Sequence, residues 1–316
     1  MLLTHYQHDR PGDHWSPGGR AARIVALGLL VVGGLVTATA CSTASSPPRP
    51  SSATGLPAAA LVKLHSLPPI YARVYTWSAS GQRISLAQQR LATACMAQHG
   101  FRYQPAPPAT AEDMAHDNPM PFGLESVESL TSPSTTGTSA APTEDPTKSA
   151  KYSRALLGDP TRLITARGAQ LTVSRPATGC LAEAEQRLLG TGRARWIQLR
   201  ILLFEAEQES LRQVNNDPGF RAVNARWQQC MHKAGFSWSD PQQLLNGLPR
   251  TTDLRTHPAT RADVRCKNET GYLAVAYPRL AAVQQGLLNK DPKVLADWTT
   301  LLLRQDRAAQ RVLANN

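Results

Sequence analysis

Aromatic side chains make up only 6% of the 316 residues and charged ones only 18%, while 24 prolines and 21 glycines interrupt the chain. So many backbone breakers among so few bulky or charged groups exclude one uniformly folded body, and part of the chain is expected not to pack. No CxxC, HExxH, P-loop, EF-hand loop, GxSxG or Ser-x-x-Lys motif is present, so no familiar catalytic or metal-binding signature points to a reaction. Aromatics do not alternate with arginines except at Trp196, which argues against a surface for stacking nucleic-acid bases. What charge there is leans basic: 34 Lys and Arg against 23 Asp and Glu give +11, a balance that suits phospholipid, wall polymer or solvent and selects none of them.

The amino-terminal region reads as an export signal. Arg20 and Arg23 precede an uncharged run from Ile24 to Val36, and the small residues Thr37 to Ala40 lead to Cys41. At about 13 residues the run is too short to cross a bilayer as a helix, and small residues follow it where a basic stop-transfer cluster would be needed. The polar stretch before Arg20 is long for a signal peptide, so translation is expected to begin further along. The sequence A-T-A-C resembles the lipobox of bacterial lipoproteins, with Ala38 where that pattern prefers Leu. The resemblance implies cleavage after residue 40 and a lipid on Cys41, which would then be the attachment to the membrane. Residues 41–60, rich in Ser, Pro and Ala, read as a disordered tether.

Four cysteines remain: Cys95, Cys180, Cys230 and Cys266. An even number in an exported chain predicts two disulfides, and spacing alone leaves three pairings open. Zinc is the competing use, because His99 follows Cys95 by four residues, but no further close ligand pair accompanies it and no metal or cofactor is expected.

An internal repeat chooses among the pairings. Residues 94–104 (ACMAQHGFRYQ) and 229–239 (QCMHKAGFSWS) share C-M-x-x-x-G-F-x-aromatic. If each cysteine lies near the end of a helix and Gly100 or Gly235 is the left-handed residue just past it, Met96 and Phe101, or Met231 and Phe236, fall at the contacting positions of a Schellman cap. The leading helices show three-four apolar spacing: Ile84, Ala87, Leu91, Ala94 and Cys95, then Phe220, Val223, Trp227, Cys230 and Ala234. The second is expected to start at Asp217-Pro218. After each cap a second cysteine opens another helical stretch, so the repeat predicts Cys95 with Cys180 and Cys230 with Cys266. Gly190-Thr-Gly192 and Asn289 to Pro292 should each turn the chain into a further helix, and Pro278 should kink or restart the helix after Cys266.

The expected fold is therefore mainly α, with two tandem disulfide-stapled helical units at 61–214 and 215–316. A mobile insertion occupies about 105–150 of the first unit and carries a short ordered piece around Phe122 to Leu130. Residues 72–80 and 169–175 have weak strand character and could pair as a small ribbon.

Together the lipobox, CMxxxGF, GCLAEAE, WQQCM and ADVRC resemble a group of uncharacterised lipoproteins of high-GC actinobacteria. The likeness covers about Leu86 onward. It implies the outer face of the cell membrane and disulfides, and assigns no catalytic residue. The expectation is a non-enzymatic envelope binding or accessory protein whose partner is wall polymer or an envelope protein. A wall hydrolase with a cleft between the units and a lipid or small-molecule carrier are the alternatives. Candidate chemistry is sparse. Glu205 and Glu209 lie one helical turn apart, with Glu183 and Glu185 nearby in sequence, and the histidines 65, 99, 116, 232 and 257 read as surface or capping residues. Arg304, Arg307 and Arg311 share a helix face suited to anionic surfaces, and Arg193, Arg195 and Arg200 form a second cluster.

Overall fold

Three prolines, each directly after a side chain able to accept a hydrogen bond, start three helices of the carboxy-terminal half. Proline at the first helical position has no N–H to waste, and the residue before it supplies an acceptor to the first turn. Asp217 accepts from Phe220 N at 2.8 Å, Asp240 from Gln243 N at 2.8 Å, and His257 Nδ1 from Ala259 N at 3.2 Å.

The computed structural model describes residues 67–108, 110, 120–127, 149–249 and 251–315. The signal segment, Cys41, the tether, His65, His116 and most of the insertion lie outside the described residues. The fold is mainly α. A π-helical turn, Tyr71–Tyr75, leads into α1 (Ala79–Gln98), then α2 (Ala150–Leu157), strands β1 (Leu163–Arg167) and β2 (Thr172–Pro176), α3 (Cys180–Leu189) and α4 (Arg193–Val214). The second half contains α5 (Pro218–Lys233), α6 (Pro241–Gly247), α7 (Pro258–Thr270), α8 (Tyr272–Lys290) and α9 (Lys293–Ala314). No described helix is long and apolar enough to cross a membrane.

Both repeated helices end in a Schellman cap. Phe101 N donates to Met96 O at 2.9 Å and Gly100 N to Ala97 O at 2.9 Å; Phe236 N donates to Met231 O at 3.0 Å and Gly235 N to His232 O at 3.0 Å. Gly100 and Gly235 have φ of 77° and 87°, and no atom lies within 4 Å of where a Cβ would stand on either. A side chain there meets backbone strain and nothing else, so Gly235→Val should lower stability by about 1 kcal/mol or more. Thermal melting reads this directly, and an unchanged midpoint would contradict it.

Disulfides join Cys95 to Cys180 and Cys230 to Cys266, the two pairs that the repeat predicts. Four local details differ from the sequence reading. On α1 it is Ala92, not Ala94, that turns inward beside Ile84, Ala87 and Cys95. Cys266 sits in the later half of α7 instead of opening a helix, because His257-Pro258 starts that helix early and Gly271, at φ 63°, ends it. Helix α8 then runs unbroken through Pro278, so the restart is at Gly271. Residues 72–75 belong to the π-helical turn and 79–80 open α1, with Thr76 and Ser78 in extended backbone between them and unpaired with any strand, and β2 pairs with β1 in a local antiparallel hairpin from Leu163 opposite Pro176 to Arg167 opposite Thr172. A short hairpin loop costs far less entropy to close than a ribbon spanning about 90 residues.

The larger correction concerns the two tandem units. The described residues from 67 onward fall in one compact unit, and helices from either side of residue 215 share its core. Helix α9 packs on α1 and α3, and α8 packs on α4. One apolar cluster combines Ile84, Ala87 and Leu188 with Ala308 and Ala309; another combines Trp196, Leu199 and Leu203 with Leu288, Val294, Trp298 and Leu301. Trp196 and Trp298 stack at 4.2 Å between ring centres. A single helical repeat is too small to bury the apolar faces of α4 and α9 by itself, and each uses the other.

Candidate functional site

The repeat delivers its cysteines into small apolar settings. Cys95 and Cys180 pack with Met96, Phe101 and Tyr152, while Cys266 is buried beside Trp227, Met231 and Tyr272. Two groups of possible metal ligands stand within 4.8 Å among the described residues, Cys95/His99/Cys180 and Cys230/Cys266/Glu269. Each contains a disulfide, whose sulfurs are not the thiolates a metal would need. These clusters are staples.

The carboxylates singled out from the sequence are separated by the fold and given structural work. Glu205 caps the hairpin turn, accepting from the backbone N–H groups of Ala169, Gln170 and Leu171 at 2.7, 2.7 and 2.6 Å. Burial pushes its carboxyl up, but the three donors outweigh this and hold it below the usual carboxylate range. Glu209, one turn along the same helix, accepts instead from Gln213 and Arg212. Each glutamate is thus engaged by its own set of donors, and no hydrogen bond joins the two. Glu185 is buried between Arg193 Nε at 2.7 Å and Arg175 Nη1 at 3.1 Å. His257 is a helix cap, and His99 and His232 are exposed.

The two arginine groups have different fates. Arg304, Arg307 and Arg311 all stand exposed on α9, beside Leu303, which is 52% exposed. Arg304 also reaches Leu189 O at 3.4 Å. Arg193 and Arg195 are instead tied into ion pairs, the first with Glu185 and the second with Asp297 at 2.7 Å. Arg200 is half-buried and has no hydrogen bond or ion pair among the described residues.

Two buried polar groups escaped the sequence reading. Glu207 on α4 accepts from Tyr71 Oη at 2.8 Å and from Tyr75 Oη, and burial followed by this carboxylate pushes both phenols up. The other group is Asp263 with Lys267, 2.7 Å apart and both fully enclosed. Trp227 Nε1 donates to Asp263 at 2.9 Å, and Lys267 Nζ donates also to Leu124 O at 2.6 Å. Burial drives the Asp263 carboxyl up and the Lys267 amine down, each towards its neutral form, against their mutual attraction. The four-residue spacing of Asp263 and Lys267 signals a helical pair, but nothing local signals that it would be covered. It is covered by residues 120–127, whose Phe122 packs against Phe220, Tyr272 and Tyr277.

Open grooves lie beside both caps, one lined by Phe101, Arg102 and Tyr103, the other by Phe236, Pro258, Arg261 and Arg265. The chain matches no protein-family model, no curated protein and no solved structure.

Proposed function

We propose that this protein is an exported lipoprotein, anchored through lipid on Cys41, whose helical body acts as a non-enzymatic binding or accessory module at the outer face of the cell membrane. The observation that carries this reading is the cysteine pattern. All four cysteines after Cys41 are joined in two disulfides, the usage expected of an oxidising compartment, and Cys41 alone is left over at the end of the apolar run. The carboxylates most suited to general acid/base work are held as acceptors by the fold's own donors, which favours binding over hydrolysis as the role of this body. The exposed Arg304, Arg307 and Arg311 on α9 supply a basic face for anionic wall polymer, phospholipid or an acidic patch on an envelope protein.

Replacing the lipid acceptor tests the reading. Cys41→Ser should release the protein from sedimented membranes or leave it as the longer precursor. Normal processing with full membrane retention would refute lipid anchoring at this residue.

A further inference from the structure

Arg200 is a half-buried guanidinium with no hydrogen bond or ion pair among the described residues, whereas the buried Arg193 and Lys267 are each paired with a carboxylate. Its surroundings are short of negative charge. Arg193, two turns earlier on the same stripe of α4, shares the carboxylate of Glu185 with Arg175 of β2. Arg175 stands across the ladder from Ile164 and shares a face of the hairpin with Ala166 and Val173, the face that packs on Ile197 and Ile201 of α4. This brings Arg175 to the side of α4 that carries Arg200, and Arg175, Glu185 and Tyr75 all act on Arg200 electrostatically. Glu207, two turns further along the stripe, is already closed off by the hydroxyls of Tyr71 and Tyr75. Three guanidinium groups thus surround the Glu185 carboxylate, with Arg193 buried, Arg200 half-buried and Arg175 42% exposed at the edge. Phe204, one turn beyond Arg200, is 46% exposed and adds an apolar wall.

We infer that Arg200 and Arg175 form a binding site for the phosphate of a small organic phosphomonoester, with Phe204 against its organic part. Guanidinium forks match phosphate oxygens, and a phosphomonoester carries close to two negative charges at neutral pH where a carboxylate carries one. Burial pushes the Arg200 guanidinium down first, and Arg175 pushes it further, and an incoming anion would offset the repulsion between the two cations. Soluble glycerol or sugar phosphates and the headgroup of phosphatidic acid share this chemistry. The site does not depend on lipidation at Cys41, so either conclusion can fail without the other.

The test is thermal melting of the full chain in glycerol 3-phosphate, with sodium acetate at equal ionic strength as reference, beside flotation with phosphatidylcholine vesicles with and without phosphatidic acid. Glycerol 3-phosphate at about ten times its dissociation constant should raise the midpoint by roughly 3 to 6 °C. Arg200→Met should abolish that shift while leaving the unliganded midpoint unchanged or higher, because it removes an unpaired cation. A shift with glycerol 3-phosphate identifies a soluble ligand; flotation that needs phosphatidic acid and is lost in Arg200→Met identifies the lipid. The inference is overturned if neither occurs in the unmodified protein, if acetate gives the same shift, if Arg200→Met responds as the unmodified protein does, or if Arg200→Met fails to fold.

Discussion

Removing the bond between Cys95 and Cys180 by a double substitution to Ala should destabilise the body by about 4.5 kcal/mol. The bond links residues 85 apart, and without it the unfolded chain gains the freedom of that whole loop. The same change at Cys230 and Cys266, 36 residues apart, should cost about 4 kcal/mol. The two values differ little because closure entropy grows only with the logarithm of loop length. Urea titration checks both, read as lower midpoints, with the slope allowed to rise because the uncrosslinked chain unfolds to a more open state. A loss below about 1 kcal/mol for either variant would mean that the unfolded chain keeps those cysteines close without a covalent link.

Asp263→Ala should cost about 3 to 5 kcal/mol. The substitution leaves the Lys267 ammonium without its counter-charge in a place that water does not reach, and strips Trp227 Nε1 of its acceptor. The paired change Asp263→Leu with Lys267→Met should cost much less than Asp263→Ala, since it removes both charges together. A double variant as unstable as the single one would show that the pair's bonds to Trp227 and Leu124 matter more than its charge. The measurement is again the urea midpoint, and the two variants must be compared with each other as well as with the parent chain.

Much of the fold was legible wherever the cause is local. The Gly-Phe caps and the Asp217-Pro218 start depend on a few consecutive residues, and a repeated pattern displayed both disulfide pairings. Non-local causes were not legible. Nothing in the apolar spacing of α9 reveals that Leu301 and Trp298 face α4, or Ala308 and Ala309 face α1, because an amphipathic stripe states that a partner exists without stating which. Tandem units were the natural expectation from a repeat, and the sharing of helices across residue 215 corrects it. The candidate site follows the same division. Glu205 and Glu209 keep the helical spacing read from the sequence, but the hairpin turn that claims Glu205 comes from residues 169–171. The arginine cluster at 193, 195 and 200 was visible as a cluster. Only the placement of Glu185 and Asp297 shows which two are satisfied and which one is left.

The position of α9 has a consequence for the order in which the molecule can assemble. Arg83 of α1 holds Asp306 of α9 at 2.8 Å across a separation of 223 residues. A chain emerging amino-terminus first from a ribosome or a pore presents α1 and α3 long before α9 exists. The bond between Cys95 and Cys180 can close in that interval, but the apolar strip of Ile84, Ala87 and Leu188 stays bare until Ala308 and Ala309 arrive. Completion of the body is therefore tied to completion of the chain. A product cut short before Asp306 is expected to leave that apolar strip exposed and to be a readier target for proteolysis than the full chain.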